Sequence, residues 1–215
     1  MKLQKLGGYF CFAIILVLVF LYMIVPVLGF KSINQITDPV EAINTFENYP
    51  GYYRVLSQAA AIFVGIFYIV FAMALRERMH SKAPNLMNFA VVAASIAAIA
   101  PLIGSMIDNS IMEAMVKAHD VSSFTISKGI KAGFSSASMH GFGWVGLLTG
   151  VAAIRTKILP RILSYLLLLG GIKGVLDFVI PPFGAVEMII SLVITLLTFI
   201  WLGIHLIRNP DPNIE

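Results

Sequence analysis

Apolar residues along this chain come in continuous runs, each about as long as the roughly 20 residues that cross a bilayer, separated by short polar stretches. The runs cover residues 7–29, 53–75, 86–107, 137–154, 161–180 and 185–207. A helix rising about 1.5 Å per residue crosses a hydrocarbon core of about 30 Å in such a length. The runs are continuous and do not alternate, and lipid offers an open sheet edge no hydrogen-bond partner, so the pattern predicts helices. The expected fold class is an all-α integral membrane protein, a bundle of six transmembrane helices in a single membrane domain over residues 1–215. The fourth run is the least apolar, being glycine-rich and flanked by Ser135, Ser136 and Ser138.

The polar stretches alternate in charge. Lys2 and Lys5, then Arg76, Arg78 and Lys82, then Arg155, Lys157 and Arg161 fall on one side. The other side holds Asp38, Glu41 and Glu47 with Lys31 and Arg54, a mixed segment over 108–131, and a Pro181-Pro182-Phe183-Gly184 turn. The positive-inside rule then predicts a multi-pass protein of the cytoplasmic membrane with both termini cytoplasmic. The first run is too long for a signal peptide, and no small-x-small cleavage site follows it, so it reads as a span. Two outer segments carry helix signals of their own. Asp38-Pro39 offers an N-cap followed by proline at the first helical position, and residues 40–46 read as a short surface helix. Over 110–119, Ile111, Met112, Met115 and Val116 share a face, which predicts a second, interfacial helix.

The connection around Lys157 is short, so the fourth and fifth spans run antiparallel as neighbours, with residue numbers at equal depth totalling about 314. That arithmetic sets His140 opposite Gly174 and Gly143 opposite Gly171. Small-xxx-small spacing, Gly146 to Gly150 and Gly170 to Gly174, permits close backbone approach. Lys173 and Asp177 stand four apart on one helical face, which predicts an ion pair. Across the Pro181-Pro182 turn Glu187 comes level with Phe178, and Asp108 closes the third span on that side. His140, Lys173, Asp177, Glu187 and Asp108 are therefore the candidate ligand-binding residues, a polar cluster in the outer half of the membrane. Ionisable groups at that depth are costly and face protein or water.

Composition narrows the picture. The chain has 215 residues, 59% hydrophobic and only 12% charged, against about a quarter charged for a soluble domain. The net charge of +4 lies between the apolar runs and not on an aromatic-laced basic patch, which excludes nucleic acid as a partner. Cys11 is the single cysteine, inside the first run, so neither an intramolecular disulfide nor a thiolate cluster arises. His140 in the outer half and His205 at the inner end stand too far apart in depth for a bis-histidine haem. A metal on His140 with Asp108, Asp177 or Glu187 would be repelled by Lys173, and no HxxxH or ExxH spacing supports one. No metal is expected, no cofactor is indicated, and no GxSxG serine marks a nucleophile. Trp144 and Trp201 read as packing or interface aromatics. Pro26 and Pro101, inside spans, predict kinks and freed carbonyls that need partners.

The segment from His140 through Arg208 resembles a bacterial membrane family catalogued as domain of unknown function 4386. The resemblance lies in the glycine-rich fourth span, in Gly150-Val151-Ala152-Ala153-Ile154-Arg155-Thr156 leading into Ile158-Leu159-Pro160-Arg161, and in Leu166 to Leu169 before Gly170-Gly171. It implies six helices with a surface segment after the first, and brings no activity. Three functions follow as expectations. The first is a non-catalytic subunit or scaffold, whose partners are the lipid bilayer and either other membrane subunits or further copies of itself. The second is a small-molecule or ion binder or transporter using the outer cluster, although residues 1–107 and 108–215 show no inverted repeat. The third is a membrane enzyme with His140 as base and Lys173 as electrostatic stabiliser.

Overall fold

The computed structural model describes residues 3–20, 36–118, 120–177 and 185–208. Seven helices account for nearly all of them: α1 (Leu3–Val19), α2 (Pro39–Asn48), α3 (Pro50–Met79), α4 (Pro84–Ala118), α5 (Phe124–Thr156), α6 (Arg161–Leu176) and α7 (Ala185–Arg208). The all-α class holds. Among the described residues three helices are long and apolar enough to cross a membrane, Gln58–Met79 within α3, α4 and α5. Leu3–Val19 and Leu192–Arg208 are shorter apolar helices. The count is thus three candidate spans and two shorter apolar helices where six spans were expected. The run over 7–29 continues beyond Val19 into positions outside the described residues, as do Pro26 and the 181–184 turn. α6 stops at Leu176 after 16 residues, capped by Asp177, and its length of about 24 Å falls short of a full hydrocarbon core.

Two expected boundaries move. The interfacial helix expected over 110–119 is the last part of α4, which runs unbroken for 35 residues through Pro101. No glycine or proline stands between Gly104 and Gly129, so nothing in the backbone stops the helix at Asp108. Likewise α5 begins at Phe124, well before residue 137. At about 50 Å each, α4 and α5 form a hairpin far longer than a bilayer core. The carbonyl that Pro101 deprives of its helical donor belongs to Ala97, and the Ser138 hydroxyl on α5 donates to it at 2.8 Å. The proline's cost in α4 is thereby met by a serine from its neighbour.

α1, α3, α4, α5, α6 and α7 pack as a closed ring, each on the next in that order, with α7 returning to α1; the α6–α7 contact is the lightest. Aromatic rings fill the middle. Phe67 and Phe71 of α3 meet Phe199 of α7 edge-on at 5.3 and 5.8 Å, and Tyr68 stacks on Phe142 of α5 at 4.5 Å. Phe142 in turn lies 6.1 Å from Phe199, so one cluster ties three helices across the ring.

Arg76, Arg78 and the α5–α6 turn share one end of the ring. The Gln4 amide at the start of α1 donates to Glu77 at the end of α3, and Arg76 donates to Asn88 at the start of α4. His205 near the end of α7 lies beside Arg78 and against the Ile158 backbone in the α5–α6 turn. The opposite end carries α2, which starts as predicted: Asp38 accepts from the Val40 amide at 3.0 Å and Pro39 takes the first position. Its Ala42, Ile43 and Phe46, with Ile36, are buried on Met112 and Met115 of α4 and Phe124 of α5, a small apolar core separate from the main one.

Candidate functional site

The α5–α6 seam sets the depth of the polar residues. A Cβ on Gly143 would stand 2.5 Å from the Gly174 backbone, and one on Gly171 would stand 2.0 Å from the Leu147 nitrogen. Gly146 faces Gly171 in the same way and Gly150 meets the Leu168 backbone, so backbone lies on backbone along about two turns. Facing positions total 317, one helical turn away from the expected 314. The cause is the turn: α5 runs to Thr156, Lys157 takes the left-handed cap at φ 56°, and α6 begins only at Arg161 after an extended Pro160. The helix ends, Thr156 and Arg161, carry the same total as the glycine pairs. Under the corrected register His140 stands level with Asp177, not with Gly174.

Lys173 and Asp177 form the ion pair their spacing predicts. The ammonium reaches both carboxylate oxygens, at 2.9 and 2.8 Å, and about a third of each side chain remains exposed. The downward tilt of side chains on a helix brings the two together. His140 meets Trp144 one turn on: the indole N–H donates to Nε2 at 3.2 Å, with the rings edge to face. An indole only donates, so Nε2 is the acceptor. In this arrangement Nε2 is committed to Trp144. Glu187 belongs to the first turn of α7, and its side chain lies outside the described residues.

Asp108 sits elsewhere in the network. It is buried on α4, and its two oxygens are taken by α5: Ser127 donates to Oδ1 at 2.8 Å and Lys131 to Oδ2 at 2.7 Å. α5 stands between α4 and α6, so Asp108, on α4, lies on one side of α5 and Lys173, on α6, on the other. Depth alone grouped Asp108 with Lys173, because counting residues from a turn says nothing about which side of a helix a neighbour occupies. Among the described residues no three of His, Cys, Asp or Glu converge as a metal site would require.

Around Asp108 opens a half-enclosed cavity of about 360 Å³, lined by Asp108, Met112, Phe124, Ser127, Lys128 and Lys131, with Ala132 and Ser135 at its edge. Lys128 donates to the Ile36 carbonyl and holds its ammonium 5.0 Å from the centre of the Phe124 ring. Reasoning from sequence passed over Ser127, Lys128 and Lys131, treating 108–131 as one mixed segment. The signal that finds them is their spacing: 124, 127, 128, 131 and 135 lie on one face once α5 is known to start at Phe124. A shallower hollow of about 370 Å³ lies nearby, against Ser110, Met115 and Asp120. Asp120 holds the α4–α5 turn, accepting from the Ser122 hydroxyl at 2.6 Å and the Ser122 amide at 2.9 Å; these bonds pull its carboxyl below its ordinary range.

No protein-family model, curated protein or solved structure matches this chain.

Proposed function

We propose that the chain is a multi-pass protein of the cytoplasmic membrane, both termini cytoplasmic, that works as a non-catalytic subunit and presents its α2–α4–α5 end to the outside. The resemblance to domain of unknown function 4386 belongs to the same proposal. The observation that carries it is the aromatic cluster across the ring. Phe67, Phe71, Phe142 and Phe199 occupy the place where a carrier needs a path, so the bundle is built as a solid block. Arg76, Arg78, Lys82, Arg155, Lys157 and Arg161 at one end outnumber Lys117, Lys128 and Lys131 at the other, which supports the orientation. The separate apolar core under α2 supports a folded head beyond the lipid. Purification in mild detergent followed by native mass analysis tests the reading. A stoichiometric companion, another protein or a second copy, is the expected result; a lone monomer overturns it.

The Lys173–Asp177 pair, about one-third exposed, favours a second reading, a binder or carrier for a small polar molecule or ion through the outer cluster. Under it, Lys173→Met with Asp177→Asn abolishes stabilisation by that molecule and leaves the unliganded melting temperature in place. A melting temperature that falls regardless of added solutes assigns the pair to structure.

A further inference from the structure

We infer that the cavity at Asp108 is a binding site for a phosphate group attached to an apolar body, and that the source of that phosphate is the headgroup of an anionic phospholipid. Three observations carry the inference. The first is charge. Asp108 cancels Lys131, while Lys128 meets a neutral carbonyl and a ring face and, among the described residues, no carboxylate, so the wall keeps one positive charge. A cation is repelled by this wall and an anion is attracted.

The second is the supply of donors. An ammonium carries three N–H groups, and each lysine spends one in the contacts above, leaving others to turn toward the cavity. Lys128 and Lys131 are three apart on α5 and so project from the same face, and the Ser135 hydroxyl lies one turn further along it. Ammonium groups grip phosphate as point charges and need no planar geometry from it. The buried Asp108 fixes Lys131 in the wall and does not compete for the ligand, since both of its oxygens are occupied.

The third is the apolar lining. Met112 of α4 and Phe124 of α5 add apolar surface to the lining and belong to the core under α2, so part of the occupant must be apolar. A volume of about 360 Å³ is near the lower end of the 300–1,000 Å³ usual for small-molecule sites, enough for a headgroup and the start of its chains. Asp108 is the first charged residue after the apolar run over 86–107, which is where headgroups meet a spanning helix. The choice of lipid as source rests on the membrane-spanning α4–α5 hairpin proposed above; the charge and the cavity do not.

The test uses the full chain purified in a nonionic detergent, with phosphatidylglycerol, phosphatidylcholine or inorganic phosphate added separately. The readouts are thermal melting and native mass analysis. Phosphatidylglycerol should raise the melting temperature and remain bound, with phosphatidylcholine well behind. Lys128→Gln, which still offers an N–H to the Ile36 carbonyl, should weaken binding roughly ten- to hundredfold. Ala132→Phe, at an exposed position on the cavity edge, should block binding with both lysines intact. A response to inorganic phosphate without lipid identifies a soluble phosphate as the source and upholds the site while removing the lipid. Equal behaviour of the two lipids with no response to inorganic phosphate overturns the inference. So does wild-type affinity in Lys128→Gln or in Ala132→Phe. Because these readouts need no companion protein and no assigned orientation, their failure is distinct from failure of the subunit reading.

Discussion

At the scale of single residues, Asp108 is the point where α4 and α5 are held in register. A carboxylate 3% exposed, with Ser127 on one oxygen and Lys131 on the other, loses its charge but little shape on replacement by asparagine. Removing one partner of a fully buried pair costs about 3–5 kcal/mol; Lys131 is one-fifth exposed and can turn toward water, so Asp108→Asn should cost about 2 kcal/mol. Thermal melting of Asp108→Asn, Lys131→Met and the double variant checks this. The double variant should lose less than the sum of the singles. Asp120 gives a pH dependence. Its carboxyl is pulled down by the Ser122 hydroxyl and amide, so its contribution to the turn is fully present above the ordinary carboxylate pKa of about 3.9. It is lost as pH falls through the lower folded value. Exchange of the Ser122 amide, corrected for its intrinsic pH dependence, should become less protected only below pH of about 4. The acidic and basic residues were legible singly, and so was the Lys173–Asp177 pair, because four-residue spacing on a helix is local information. Asp108 with Lys131 was not legible, because it needs the start of α5.

At the scale of helices, the glycines of the α5–α6 seam divide sharply by one position. A Cβ on Gly171 runs into the Leu147 backbone at 2.0 Å, where no flexible side chain can give way, whereas a Cβ on Gly170 meets nothing within 4 Å. Gly171→Ala should therefore push the two helices apart and cost about 1–3 kcal/mol, as overpacked sites do. Gly170→Ala should range from neutral to about 1 kcal/mol stabilising through helix propensity. Melting temperatures of the two variants in one detergent decide the matter, and equal losses would deny the close backbone contact. On α5 the seam was legible from the Gly146–Gly150 spacing, and so was the α2 start at Asp38-Pro39; on α6 the expected Gly170–Gly174 pair is wrong by one member, since Gly171 and Gly174 meet α5 and Gly170 faces open space. The register was off by one turn because the left-handed cap at Lys157 and the extended Pro160 move the centre of the connection past Lys157. The outer ends of α4 and α5 were shortened in the reading for a related reason. Hydropathy marks where a membrane would end, while a helix ends only where its backbone is stopped.

At the scale of the molecule, the continuous apolar runs made the all-α class legible, but the ring and its aromatic centre were not. Phe67, Phe142 and Phe199 are unremarkable members of three separate runs until the helices are assembled. The two ends of the ring differ in a way that yields the last prediction. One end unites Gln4, Glu77, Arg76 and the α5–α6 turn; the other unites α2 with the far ends of α4 and α5. In the proposed orientation the first end faces the cytoplasm. Cys11 is buried, so it should stay silent toward thiol reagents and leave an introduced cysteine as the one reporter. In intact cells, Lys117→Cys on the exposed far end of α4 should react with a membrane-impermeant maleimide. Lys82→Cys, exposed in the turn before α4, should react only after the membrane is opened. α4 crosses between these two positions, so labelling of both from outside would leave it lying along the surface and remove the spanning hairpin on which the outward head depends.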